Sequence, residues 1–463
     1  MSDDTEFWHA YSWLTFVHDY AKALRFNPYG LLTALLTRYS ALIPPNVVLQ
    51  VTKNDLPMSL NLDAVLVGTA GASKGRQLAE ARRLIPANDS PVPFREIKPK
   101  SGEGVISKFA EMRPATDEEG KTLKGQYSLQ VLADRLEIVL GEVTYLATAI
   151  GMDGSTLLSL LLEAFSNETI GGNTRGRQSD LVLPPYAYRL SCLVCAQPAC
   201  TGVFFDNVES GFASRFVFAR AGDPEAPDVR PPKPAGTLGV DADRIPRGLS
   251  ATQLGLLIDK GSIAKLPTAG ELGYPLTHIK FPRSADDYAD RLQCDGSRGL
   301  IGDLDAHKTE PTAKIAALIA LLNLNIDGGT LADGFTVSDV DWQLAMRFME
   351  ASAEARSYCL ETAKHSRRSA KAQRKADDLI ASEEAERIRH EELLWKAEQH
   401  ILRRMAEKDP NREGIRRTEL QQATSRTYRE VFGEAIAALT EECKVVERDG
   451  SNGAKVYTAI DTI

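Results

Sequence analysis

The sequence predicts an α/β fold: a phosphate-binding-loop (P-loop) core, an N-terminal helical region, a helical C-terminal extension and a winged-helix domain. Three observations predict it. The apolar run Leu62-Asp63-Ala64-Val65-Leu66-Val67 stops at the glycine-rich turn Gly68-Thr69-Ala70-Gly71-Ala72-Ser73-Lys74-Gly75, and a helical pattern follows from Arg76 to Leu84. Further apolar strand-like runs alternate with helical stretches as far as about residue 220. Near the end, two short helical patterns precede two strand-like runs joined at Asp449-Gly450-Ser451-Asn452-Gly453. The expected divisions are residues 1–57, 58–228, 247–408 and 411–463.

Strand, glycine turn and helix together form a cradle in which bare amides at a helix N-terminus face an anion and a lysine neutralises it. Gly68 takes the first glycine position of G-x-x-x-x-G-K-[ST] and Lys74 the lysine, with Gly71 inside the loop. Ser73 replaces the second glycine, which is expected to need negative φ there. Gly75 replaces the Ser/Thr whose hydroxyl ordinarily holds Mg²⁺. An ordinary glycine-rich strand-to-helix turn is the plain alternative.

Size and composition bound the rest. A chain of 463 residues can bury a large core in two or three domains. The net charge of −8 gives no overall basic field, so any nucleic-acid contact must come from local clusters. Six cysteines in this length point to a reduced compartment, and no signal peptide or bilayer-length apolar run is evident. A soluble, cytoplasmic protein is expected. Cys192 and Cys195 have C-x-x-C spacing, but on a strand they face opposite sides, so buried cysteines are expected rather than a zinc site.

Taken in order, residues 6 to 43 are rich in aromatics and leucine, with a helix opening at Pro28, and Val47 to Val51 reads as a strand. Pro93 to Ile97 reads as a strand passing through Ser101-Gly102-Glu103-Gly104 into a helix. Glu103 stands where open α/β sheets place their chemistry and could deprotonate or orient a water; equally, it is a helix-start charge favoured by the dipole. Residues 114 to 125 read as a polar surface loop. Leu136 to Val143 reads as a strand whose only terminal acid is Glu142, either a metal-reaching carboxylate or a solvated strand-end charge. The polar stretch 166–178 carries Arg175 and Arg177, which could touch phosphates or simply belong to a surface hairpin. The strand Tyr188 to Ala196 ends in Gln197, a hydrogen-bonding group for a terminal phosphate. Arg215, inside the apolar run 211–218, must have an anionic partner: a phosphate in cis, one across a subunit boundary, or a core carboxylate.

Residues 221–246 read as a linker, and the chain beyond 247 as mainly helical, with long charged helices from about Val340 to Lys408. Their basic cluster Arg367, Arg368, Lys371, Arg374 and Lys375 could bind nucleic acid or be a solvated face. In the winged-helix module, Arg426, Arg429, Arg448 and Lys455 could grip a duplex backbone, although its second helix is acidic enough to leave protein docking open.

These segments, Gly68 to Gly75, Ser101 to Gly104, Gly141-Glu142-Val143, Ala196-Gln197-Pro198 and Gly211 to Phe216, resemble a family of RecA-like ATPases of bacterial plasmids and prophages, related to primase-helicase C-terminal halves. The likeness runs from about 25 to 330 and departs from the family at Ser73, Gly75 and Gly141. It implies an ATP- and Mg²⁺-dependent DNA helicase or translocase serving replication of a mobile element. That would be a homo-oligomer, such as a hexameric ring passing single-stranded DNA, with a primase or polymerase as a further partner and no membrane. The implied roles are Gly68, Gly71, Ser73, Lys74 and Gly75 for the nucleotide, Glu103 for water, Glu142 for the metal, Gln197 for sensing and Arg215 as finger. The alternative is a non-hydrolysing or weakly hydrolysing DNA-binding initiator or helicase loader with a degenerate loop. A docking scaffold for a polymerase or primase is a third reading.

Overall fold

The computed structural model describes residues 4–52, 56–172, 181–206, 208–260, 276–450 and 453–460. The chain divides into two compact units, residues 1–366 and 367–463.

The first unit is organised by five parallel strands: β1 (Asp63–Val67), β2 (Phe94–Ile97), β3 (Arg135–Leu140), β4 (Arg189–Ala196) and β5 (Phe216–Arg220). Their order is β5-β1-β4-β3-β2. The fold is thus mixed α/β, with about 52% helix. Parallel strands need both faces covered, and the side-chain alternation does this. Ala64 and Leu66 of β1 join one core with the helices Pro28–Leu42 and Lys74–Leu84. Val65 and Val67 join the other with Gly102–Phe109, Val143–Gly151 and Leu157–Phe165. Cys192 and Cys195 divide between the same two cores, as alternation on a strand requires.

Helix Pro28–Leu42 starts where the Asn27 side chain accepts from the amides of Tyr29 and Gly30, with proline at the first helical position. Every residue from Gly30 to Leu42 is buried. Gly30 has to be glycine, because a Cβ there would come within 2.4 Å of the Arg220 carbonyl oxygen. The N-terminal aromatics Phe7, Trp8 and Trp13 share this core with the buried helix Thr309–Ile326. Strand Val47–Gln50 pairs with both Met58–Ser59 and Thr277–Lys280. Packing therefore continues across residue 57 and into the region after 247.

Four local expectations change. Residues 114–125 belong to a hairpin of Ala110–Thr116 and Thr122–Val131, whose turn is held by the Asp117 carboxylate accepting from the Lys121 amide at 2.7 Å. The strand expected to reach Val143 ends at Leu140, and Glu142 stands at the N-cap position of a helix, its side chain making no capping hydrogen bond. The run 211–218 is not one strand: Gly211, at φ 70°, opens the helical turn Phe212–Arg215, and β5 begins after it. The charged region is a single helix, Asp339–Lys408. No helix among the described residues is long and apolar enough to cross a membrane.

In the second unit, strands Ile415–Arg416, Val445–Asp449 and Lys455–Ala459 form an antiparallel sheet with Lys455–Ala459 in the middle. Helices Arg417–Ala423 and Phe432–Glu441 pack on it, together with Ala397, Ile401 and Met405 of the long helix.

Arg38 enters the first core with its charge. Its Nη1 donates to Glu137 and Glu96, each at 2.8 Å, and the side chains of Arg38 and Glu137 are 8% and 3% exposed. Removing one partner of such a pair strands the other charge in low dielectric. Arg38→Ala is expected to lower unfolding free energy by about 3 kcal/mol, whereas Arg38→Met combined with Glu137→Leu recovers most of the loss. Urea titration of the full chain, followed through the first unit's transition, checks both.

Candidate functional site

The turn after β1 is where backbone donors outnumber their acceptors. Amides of Ala70, Gly71, Ser73, Lys74 and Gly75 donate to no acceptor among the described residues, as the first turn of a helix requires unless a cap or ligand supplies one. Ser73 caps helix Lys74–Leu84 in the left-handed region, φ 55° and ψ 29°, and its side chain does not cap. The negative φ expected at this non-glycine is therefore corrected. A serine holds a conformation that costs about 1 kcal/mol, the kind of strain that a turn retains where surroundings or function fix it. Gly68 is demanded by close approach, since a Cβ would lie 2.5 Å from the Ala72 Cβ. Gly71 and Gly75 meet nothing within 4 Å, leaving open space beside the free amides. The Lys74 ammonium is turned inward onto the carbonyl oxygens of Gly68 and Thr69, at 2.6 and 3.0 Å.

The sheet order gathers other groups at this corner. The Gly68 amide donates to the Ala196 carbonyl at 2.9 Å, which sets Gln197, exposed, at the tip beside the loop. Leaving β1 the chain passes to one face of the sheet, and leaving β4 it passes to the other, with Phe204 packed in the opposite core from Leu78. Neighbouring strands whose connections diverge in this way open a crevice at their carboxyl ends. Glu142 follows β3 on the far side of β4. One of its carboxylate oxygens, Oε1, is buried without a hydrogen-bond partner. The Cys195 thiol registers both charges: burial pushes it up to about 11, Lys74 pulls it down and Glu142 raises it further.

Sequence reasoning missed Arg220. It closes β5 in register with Val67, and its guanidinium lies over the Tyr358 ring at 4.3 Å. It has no carboxylate partner among the described residues. Only the strand register brings it to the loop.

Two expected members come from other parts of the sheet. Glu103 sits in the first turn of helix Gly102–Phe109, which follows β2, the edge strand three spacings, roughly 14 Å, from β1. Its own backbone amide and the hydroxyls of Thr156 and Ser101 hold it below the usual carboxylate range, with Thr156 Oγ1 donating at 3.0 Å. Arg215 precedes β5 and lies beside Asp63, at the amino ends of the strands, so it cannot act in cis on an anion at Lys74. A five-residue strand of roughly 16 Å separates the two ends. Arg215 donates to the carbonyls of Ser210 and Gly211, and feels the charges of Glu310, Glu168 and Asp63.

Among the described residues, no group of three His, Cys, Asp or Glu side chains could hold a metal by itself. Mg²⁺ typically takes one or two carboxylates and completes its shell with phosphate oxygens and water, so the orphaned Glu142 oxygen fits that role beside a bound triphosphate. Gly75 supplies no ligand.

Arg175 and Arg177 lie outside the described residues. In the second unit Arg429 donates to the carbonyls of Thr424 and Gln422, and Lys455 pairs with Glu447. Arg426, Arg429, Arg448 and Lys455 are all exposed. The exposed face of helix Phe432–Glu441 presents Gly433, Glu434, Ala437 and Glu441, an acidic surface that phosphates repel. Compared with known proteins, the chain matches no family model, and no curated protein matches it.

The amino-end cluster has a pH signature. Burial raises the Asp63 carboxyl to about 7 and lowers the Lys314 ammonium to about 7; Lys314 Nζ donates to the Phe165 carbonyl at 2.8 Å. The folded state thus holds the Asp63 proton where the unfolded chain, with an ordinary pKa of 3.8, has released it. By linkage, the stability tied to this proton falls as pH rises from about 4 to about 7. In Asp63→Asn this fall is expected to disappear, checked by unfolding free energies across that window.

Proposed function

We propose that this chain binds Mg²⁺–ATP at the turn after β1 and uses it as a RecA-like ATPase acting on DNA, the helicase or translocase reading that the sequence resemblance implies. The single observation carrying it is the strand order. β4 stands between β1 and β3, so Lys74 with its open amides, Gln197 and the unpartnered Glu142 oxygen occupy adjacent strand tips at a switch point. In this reading Lys74 leaves its two carbonyls for the outer phosphates and the free amides of residues 70–75 take the inner ones. Glu142 holds the metal and Gln197 contacts the terminal phosphate. Glu103 orients water once the loops draw it inward, and Arg215 serves a neighbouring subunit. The second unit, with its three-stranded sheet and two helices, is a winged helix in this reading, and its acidic helix favours a protein partner such as a primase or polymerase.

A second reading, a nucleotide-binding initiator or loader that hydrolyses weakly or not at all, is favoured by one arrangement. Glu103, in the helix that follows the edge strand β2, is anchored by Thr156, while Gly75 offers no hydroxyl to the metal.

Lys74→Ala is expected to weaken ATP affinity by roughly 10- to 100-fold, the worth of a charge-assisted contact. Titration with a fluorescent ATP analogue measures it, alongside phosphate release with and without single-stranded DNA. DNA-stimulated release that is lost in Lys74→Ala supports the motor. Binding without release in wild type supports the switch, and no nucleotide binding by wild type overturns both.

A further inference from the structure

Within the second unit, residues 367–392 of the helix Asp339–Lys408 are exposed at every position. At 1.5 Å per residue this is roughly 39 Å of exposed helix, met near its end by Glu434, which pairs with His390 at 2.7 Å. The charge along it is divided. Arg367, Arg368, Lys371, Arg374 and Lys375 give five cations and no acid over 367–375. Asp377, Asp378, Glu383, Glu384, Glu386, Glu391 and Glu392 outweigh Arg387 and Arg389 over 376–392, seven acids against two bases. Arg368, Lys371, Arg374 and Lys375 have no acid partner among the described residues, and neither Asp378, Glu383, Glu386 nor Glu391 has a basic one. Where the blocks meet, Leu379 and Ile380 point into solvent at 62% and 61% exposure.

From this we infer that the occupant of this helix face is the same helix of a second copy, running antiparallel about a two-fold axis at Leu379–Ile380. A two-fold interface must be self-complementary, each patch meeting its own counterpart. With the axis between residues 379 and 380, Lys375 of one copy comes opposite Glu384 of the other, Arg368 opposite Glu391, and the two apolar pairs cover each other at the centre. A parallel pair in register would set cationic block on cationic block and acidic on acidic, which costs energy along the whole length. The apolar area is small, so charge dominates the association and salt weakens it. This surface is independent of any nucleotide at Lys74.

Sedimentation equilibrium of the full chain tests it. Self-association is expected to weaken roughly tenfold or more between about 0.05 and about 0.5 M salt, because exposed pairs are screened beyond a Debye length. The variant Lys371→Glu/Arg374→Glu/Lys375→Glu and the variant Glu383→Lys/Glu384→Lys/Glu391→Lys should each lose the association, and their mixture should regain it. All six side chains are exposed, so folding is unaffected. Orientation is read by disulfide trapping after exposed Cys200, Cys294 and Cys443 are replaced by serine. Leu379→Cys is expected to cross-link with itself. Ser369→Cys should not, but should cross-link with His390→Cys. Self-cross-linking at 369 as readily as at 379, association indifferent to charge reversal, or a monomer whose basic-block variant instead loses affinity for a DNA oligonucleotide would each overturn the inference.

Discussion

Five amide donors and one ammonium crowd the turn between β1 and helix Lys74–Leu84, and among the described residues the acceptors they meet are the Gly68 and Thr69 carbonyls. Both carbonyls accept from the lysine, and that of Thr69 also from the Ala72 amide. The remaining donors stand at the positive end of a helix, in front of glycines that leave the space empty. That imbalance of donors over acceptors is what the rest of the site answers to. In the proposed reading an anion would resolve it without rearranging the sheet, because the lysine would have only to release two hydrogen bonds and turn outward.

The sheet explains why the turn can stay this way. β1 is buried on both faces, and its neighbours β4 and β5 fix its register over its whole length. The strain at Ser73 and the close packing of Gly68 on Ala72 are held by this frame. Glu142 shares the constraint from the other side. It is the residue at which β3 gives way to a helix, and one of its oxygens remains buried and unpaired, which a native core tolerates where a cation or proton completes it. At the far end of the same strands Asp63, Arg215, Glu310 and Lys314 feel one another's charges, Arg215 and Lys314 donate to backbone carbonyls, and burial pushes Asp63 and Lys314 toward their neutral forms.

The parts legible in sequence were those written in consecutive residues. The β1 run, Gly68, Lys74 and the turn between them could be read directly, as could β4 with its alternating cysteines and the terminal hairpin. Strand order could not, because adjacency of β4 to β1 is a contact between residues more than a hundred positions apart. For the same reason Arg220 went unnoticed: nothing near it marks it, and only its pairing with Val67 brings it to the loop. Arg215 was misplaced by a local cause. Its run is apolar enough to pass for a strand, yet Gly211 in the left-handed region starts a helical turn, which leaves the arginine at the strand's beginning. Likewise, the hairpin 110–131 is hidden by the charged and glycine-bearing residues around its turn, although its second strand alternates, with Leu123, Tyr127, Leu129 and Val131 half-buried between exposed polar neighbours.

The most direct measurement is a crystal structure of the full chain grown with Mg²⁺ and a non-hydrolysable ATP analogue. The account predicts phosphate density against the amides of residues 70–75, Lys74 Nζ moved from the Gly68 and Thr69 carbonyls onto phosphate oxygens, and Mg²⁺ facing Glu142. An empty turn at saturating analogue, with Lys74 still on its two carbonyls, would contradict it.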